Sequence, residues 1–255
     1  MENGWWQTLD VQKPVADFVK FQTRVERPDQ AVAAVRDALR ESVSGKPGVA
    51  QIDVPIDVSN EELGADDMPT PVTAAAPLIR SFPDPQLVAK AAALLRQAER
   101  PVLLIGGGAH YSGAGEALMR LVETMHMPVV NSPTSRGVVP ETHPMVLGCA
   151  GIIGYEPVGA AIEEADLVLA IGSRLSDIQT SRGDLLPKDA PIIQVDIEPA
   201  GIGREYPVEI GIVADAQGFA DALVMALAAE PPEVPDSRRE WTASLAERYA
   251  TWRDA

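Results

Sequence analysis

The sequence predicts an α/β chain: a doubly wound, mainly parallel sheet with helices on both faces, preceded by a partial α/β segment. Three observations lead there. Short apolar runs, 102–105 (VLLI), 167–171 (LVLAI) and 192–195 (IIQV), alternate with stretches of helical period. Runs that are apolar at nearly every position suit strands covered on both faces, as in a parallel sheet. At 255 residues, 46% hydrophobic and 23% charged, the chain has an ordinary globular composition and enough length for at least one core.

In chain order, a helical pattern opens at Arg27-Pro28-Asp29, with Val32, Val35, Leu39 and Val43 at three- and four-residue steps. It stops near Ser44-Gly45, and residues 49–54 then read as a strand closed by Pro55. One helix and one strand cannot bury their own apolar faces, so residues 1–58 read as the tail of a larger unit. Residues 59–85 read as a linker of acids, prolines and small residues. Helices are expected over 86–97, 115–125, 157–165 and 217–229, with strands over 102–105, 128–130, 167–171, 192–195 and 210–213. These compose one domain over 86–230 with a Rossmann-like layout. Residues 231–255 turn polar and proline-rich, then carry Trp241, Leu245, Tyr249 and Trp252 at helical spacing.

Charge narrows the partners. With 21 Lys and Arg against 37 Asp and Glu, the net charge is −16, which opposes nucleic acid and anionic membranes. No apolar run nears the roughly 20 residues of a membrane helix. Cys149 is the only cysteine, which excludes an internal disulfide and suggests a reducing, cytoplasmic setting. The start, MENGWWQTLD, lacks the features of a signal peptide.

In a doubly wound sheet, ligands bind beyond the carboxyl ends of the strands. Four segments are expected there: Gly106-Gly107-Gly108, Asn131-Ser132, Gly172-Ser173-Arg174 and Asp196-Ile197-Glu198. Glycines admit a phosphate to backbone N–H groups, and an acid at a strand end can accept from ribose hydroxyls. The alternative is ordinary turn chemistry. The G-x-G-x-x-G fingerprint fails at Tyr111, and Gly45-Lys46-Pro47 is no phosphate loop. His110, His126 and His143 are scattered, no G-x-S-x-G exists, and Cys149 reads as a small packed residue. The acid pairs Glu61-Glu62, Asp66-Asp67 and Glu163-Glu164 read as solvated surface. No catalytic and no metal-ligating residue is assigned.

Several stretches are similar to one family. They are RPVLLIGGGA (100–109), PVVN (128–131), SRGVVPETHP (135–144), Leu147-Gly148, ADLVLAIGSR (165–174), IIQVDIEPA (192–200), Ile202-Gly203 and Asp215-Ala216. Together they resemble the central domain of thiamine-diphosphate-dependent enzymes of the acetolactate synthase type. GKPG (45–48) with QIDVPID (51–57) resembles the end of that family's pyrimidine-binding domain.

The resemblance implies that residues 1–58 are a remnant of the pyrimidine-binding domain and that 231–255 lead toward a diphosphate-binding domain. It implies a complete enzyme, a lyase or transferase, that uses thiamine diphosphate and Mg2+ in carboligation or decarboxylation of 2-keto acids as a homo-oligomer. Both cofactor sites would lie outside this chain, which would be inactive alone. In the central domain it implies an FAD or ADP-like nucleotide held by Arg80, Gly106, Gly107, Gly108, Gly172, Arg174, Asp196, Ile197, Asp215 and Ala216. Two stretches depart from the family: its R-F-D-D-R reads Arg174-Leu-Ser-Asp-Ile178, and its M-H reads Ile152-Ile153. A stand-alone nucleotide-binding or assembly module is the competing reading. An NAD-consuming deacylase is disfavoured, because one cysteine cannot build its zinc module.

Overall fold

The computed structural model describes residues 9–64 and 80–255. Most of the expected linker, at 65–79, and the first eight residues read for a signal peptide lie outside the described residues. The chain divides into two compact units, Met1–Ile79 and Arg80–Ala255.

In the first unit, α1 (Gln12–Val15) precedes β1 (Phe21–Arg24), α2 (Ala31–Val43), β2 (Ala50–Asp53) and α3 (Ile56–Ser59). β1 and β2 pair in parallel, Phe21 opposite Ala50 through Arg24 opposite Asp53. The expectation of a single strand is thereby corrected. β1 escapes a reading based on apolar runs because three of its four residues are Gln22, Thr23 and Arg24. The Gln30 side chain accepts from the Glu26 and Arg27 amides, closing a 3-10 turn that leads into α2. Only Ala38 of α2 is buried, whereas Val32, Val35, Leu39 and Val43 are exposed.

The second unit begins with α4 (Pro85–Gln97) and β3 (Pro101–Ile105). It continues with α5 (Gly107–Ser112), α6 (Gly115–Met125), β4 (Val129–Asn131), β5 (Val146–Cys149), α7 (Glu156–Glu163) and β6 (Leu167–Ile171). α8 (Asp177–Thr180), β7 (Ile192–Asp196), β8 (Ile210–Val213), α9 (Ala216–Ala229) and α10 (Asp236–Arg253) complete it. The six strands form an all-parallel sheet in the order β5-β4-β3-β6-β7-β8. This is the doubly wound, Rossmann-like fold expected from the apolar runs.

Alternation along each strand divides the core into two layers. Leu103, Ile105, Leu169, Ile171 and Val195 pack with α4, α6 and α9 on one face. Val102, Leu104, Val168 and Ala170 pack with α7 and α10 on the other.

α10 is fixed to this unit by a buried cation. Arg238 has 0% exposure. Its guanidinium donates to the Met125 carbonyl at 2.9 Å, to that of Leu95 at 3.2 Å, and to that of Ala98. These carbonyls end α6 and α4, where the helix dipole favours a positive charge. Trp241 and Arg248 add bonds of 2.9 Å each to the two oxygens of Glu164, at the end of α7. Among the described residues no helix is long and apolar enough to cross a membrane.

Candidate functional site

The sheet supplies the position of the site. From β3 the chain steps outward to β4 and β5, then returns beside β3 as β6 and steps away to β7 and β8. The direction reverses between β3 and β6, which pair from Pro101–Leu167 to Ile105–Ile171. Crevices at such reversals, beyond the carboxyl ends, are where ligands bind in open parallel sheets. Gly106 and Gly172 directly follow the two strand ends.

The glycines serve close approach between these two turns. A Cβ on Gly106 would lie 2.2 Å from the Gly172 carbonyl oxygen, and one on Gly108 would lie 2.8 Å from the Gly172 Cα. Gly107 faces the Thr134 hydroxyl, 2.9 Å from where its Cβ would be. Gly172 also has a φ of +63°, in the left-handed region that favours glycine. The Gly106 amide donates to the Ile171 carbonyl and the Gly108 amide to that of Gly172, each at 2.9 Å. Those two amides are therefore committed to joining the β3 and β6 turns. The short helix α5 begins here, hidden from the sequence reading by its glycines.

Arg80 and Asp215 meet across the start of α9. Arg80 donates to Asp215 at 2.7 Å, to the Ser112 carbonyl at 2.9 Å and to the Ser112 hydroxyl at 3.2 Å. Asp215 caps α9 by accepting from the Gly218 amide at 3.0 Å, and the Ser112 hydroxyl accepts from the Gln217 amide at 2.8 Å. Ala216, the first residue of α9, is buried.

Asp196 ends β7, is 8% exposed, and accepts from the Glu198 amide at 2.9 Å. Ile197 beside it is half-buried. Arg174 is exposed and makes no hydrogen bond or ion pair among the described residues. Its stem passes Gly201, with Cγ 3.6 Å from where a Cβ there would be.

The rim contains polar groups beyond the ten residues proposed from sequence. Asn131, at the end of β4, has 0% exposure, and neither side-chain atom finds a hydrogen-bond partner among the described residues. A buried amide without partners is costly. The Ile105 carbonyl accepts from the Ser135 hydroxyl at 2.7 Å, the Ser132 amide at 2.9 Å and the Gln179 side chain at 3.5 Å. Asn131 and Ser132 stand in one of the strand-end segments read from the sequence, whereas Gln179 carries no local signal there.

Groups outside the rim offer less. Cys149 is buried, and burial pushes its thiol up, away from nucleophilic use. No group of three or more His, Cys, Asp or Glu side chains is arranged for a metal ion among the described residues. A groove of about 640 Å³ lies at the opposite, amino ends of β7 and β8, lined by Pro191, Ile192, Tyr206 and Val208. The departing residues Ile152, Ile153 and Ile178 are all at least half exposed (55%, 63% and 50%).

Comparison with known proteins gives a family and several relatives. The family described as thiamine pyrophosphate enzyme, central domain, matches residues 88–223. The probable acetolactate synthase large subunit of Methanocaldococcus jannaschii is 34% identical over 89% of this chain and 39% of its own length. The acetolactate synthase large subunit of Corynebacterium glutamicum is 33% identical over 94% of this chain and 38% of its own. The oxalyl-CoA decarboxylase of Escherichia coli is 31% identical over 84% and 37%. The chain thus spans less than two fifths of the length of these relatives.

Proposed function

Because the chain belongs to the thiamine pyrophosphate enzyme family and carries its central domain, we propose that it is the scaffold portion of a thiamine-diphosphate-dependent carboligase or decarboxylase acting on 2-keto acids. The observation that carries this reading is the family match laid on a sheet whose reversal point is walled by Gly106–Gly108 and Gly172–Arg174.

No catalytic step is assigned to the described residues. In this proposal thiamine diphosphate and Mg2+ are bound by other parts of a complete, homo-oligomeric, cytoplasmic enzyme of the lyase or transferase class. When bound, thiamine diphosphate supplies the carbanion chemistry of such reactions.

The carboxyl-end rim fits a different ligand. Glycines bring the β3 and β6 turns into close contact, and Arg174 offers a cation that is unpaired among the described residues. Asp196 and Ile197 stand at the end of β7, and Asn131 is buried beneath the end of β4 with no side-chain partner among the described residues. An FAD or ADP-like nucleotide would lie over this rim. Its phosphates would lie near Gly172 and Arg174 and its ribose near Asp196, with Arg80, Asp215 and Ala216 forming the far wall. Its role would be binding and structural.

Titration calorimetry of the chain with ADP and FAD tests this. Binding of either at one site, lost in Arg174→Ala, supports the reading. No heat from either nucleotide at millimolar concentration contradicts it. Acetolactate formed from pyruvate by this chain alone, with thiamine diphosphate and Mg2+ added, would overturn the scaffold assignment.

A further inference from the structure

Gln194 is a polar side chain at the centre of β7, with 1% exposure between Ile193 and Val195. Burying a primary amide is unfavourable unless its hydrogen bonds are recovered. Here Nε2 donates to the Ser173 carbonyl at 2.9 Å and to the Gly201 carbonyl at 3.2 Å, and Oε1 accepts from the Gly203 amide at 2.8 Å. One carboxamide therefore ties the turn after β6 to the turn after β7.

Arg174 lies between the two tied points. It follows Ser173 directly, and its stem passes Gly201. Its neighbours are fixed from both sides. The Ser173 hydroxyl donates to the Gln179 side chain at 2.5 Å and accepts from the Leu175 amide at 3.1 Å. Leu175 is 1% exposed and held at a φ of +53°. The backbone of Arg174 is thus immobilised by buried bonds, while its guanidinium is exposed and has no partner among the described residues. Fixing the root of a long cation while leaving its head free reduces the ordering cost of an ionic contact with a ligand.

We propose that Gln194 is a positioning residue that aims Arg174 at a phosphate group held over the carboxyl ends of β6 and β7. This rests on the nucleotide reading given above. It assigns no contact between Gln194 and the ligand.

The test is a double-mutant cycle read by ADP titration of the full chain: wild type, Arg174→Ala, Gln194→Met and the double variant. Each single change is expected to weaken ADP binding about tenfold, in the range of a lost charge-assisted hydrogen bond. If Gln194 acts through Arg174, the double variant binds no more weakly than Arg174→Ala. Losses that multiply, or unchanged affinity in Gln194→Met, overturn the proposal.

If the wild type binds no ADP, the nucleotide reading fails by itself and amide exchange still tests the tie. The Gly203 and Leu175 amides should exchange at least about tenfold faster in Gln194→Met, with Val168 and Leu169 unchanged. No acceleration, or an even one, overturns the positioning role. If Gln194→Met does not fold, the wild-type Gln194 side-chain amide resonances are followed instead. Movement on ADP saturation is expected, and unmoved resonances overturn the proposal.

Discussion

The carbonyl oxygen of Gly172 stands 2.2 Å from the position a Cβ on Gly106 would take. Both flank the reversal point, so the turns after β3 and β6 are packed as closely as two backbones allow. The same Cβ would lie 2.6 Å from the Ser173 Cα, which leaves no flexible side chain to give way. Gly106→Ala should therefore destabilise the chain by about 1–3 kcal/mol, as overpacking does. Urea unfolding checks this; an unchanged midpoint contradicts the packing role.

Arg238 should be the most sensitive residue of α10. Arg238→Leu leaves the Leu95, Ala98 and Met125 carbonyls without their donor. The expected loss is on the order of 2–5 kcal/mol, because buried acceptors are stranded. Hydrogen exchange should show α10 losing protection before β3 and β6 do. Equal loss in all three would mean that Arg238 serves the whole core.

Asp215 joins two tasks, the cap of α9 and the bond to Arg80. Asp215→Ala should cost more than Arg80→Ala, since a lost N-cap alone costs about 0.5–2 kcal/mol. The double variant should fall short of the sum of the singles. Additive losses in chemical denaturation would show that the pair is not coupled.

Acid should loosen α10. Burial raises the Glu164 carboxyl, but hydrogen bonds from Arg248 and Trp241 outweigh it and hold the group below its ordinary value. A carboxylate depressed in the folded state adds stability that is complete above its unfolded pKa, about 4.3, and is lost as pH falls through the lower folded value. Because the pair is partly exposed, the contribution is small. Glu164→Gln should be less stable than wild type at pH 7, with the gap closing toward pH 3. A gap constant with pH would rule out this linkage.

The layered sheet was readable because β3, β6 and β7 are apolar nearly throughout, a pattern that only two-sided cover requires. β1 and β5 were not readable. β1 is polar, and β5 (Val146–Cys149) contains Gly148 at a φ of +96°. α10 was visible from Trp241, Leu245, Tyr249 and Trp252, yet nothing in Ser237-Arg238-Arg239-Glu240 marks Arg238 as the buried one. In the candidate site, glycines and acids at strand ends could be placed from the strands alone. The pairing of Arg80 with Asp215 spans 135 positions, and the ties of Gln194 depend on how two turns meet, so neither has a local signature.

The central claim is that the carboxyl-end rim is a nucleotide cleft, and a 15N chemical-shift map of the chain titrated with ADP tests it most directly. The largest shifts are expected at 106–108, 172–174, 196–197 and 215–216, together with the Asn131 side-chain amide. Shifts confined to the amino ends of β7 and β8, or none at saturating ADP, would contradict it.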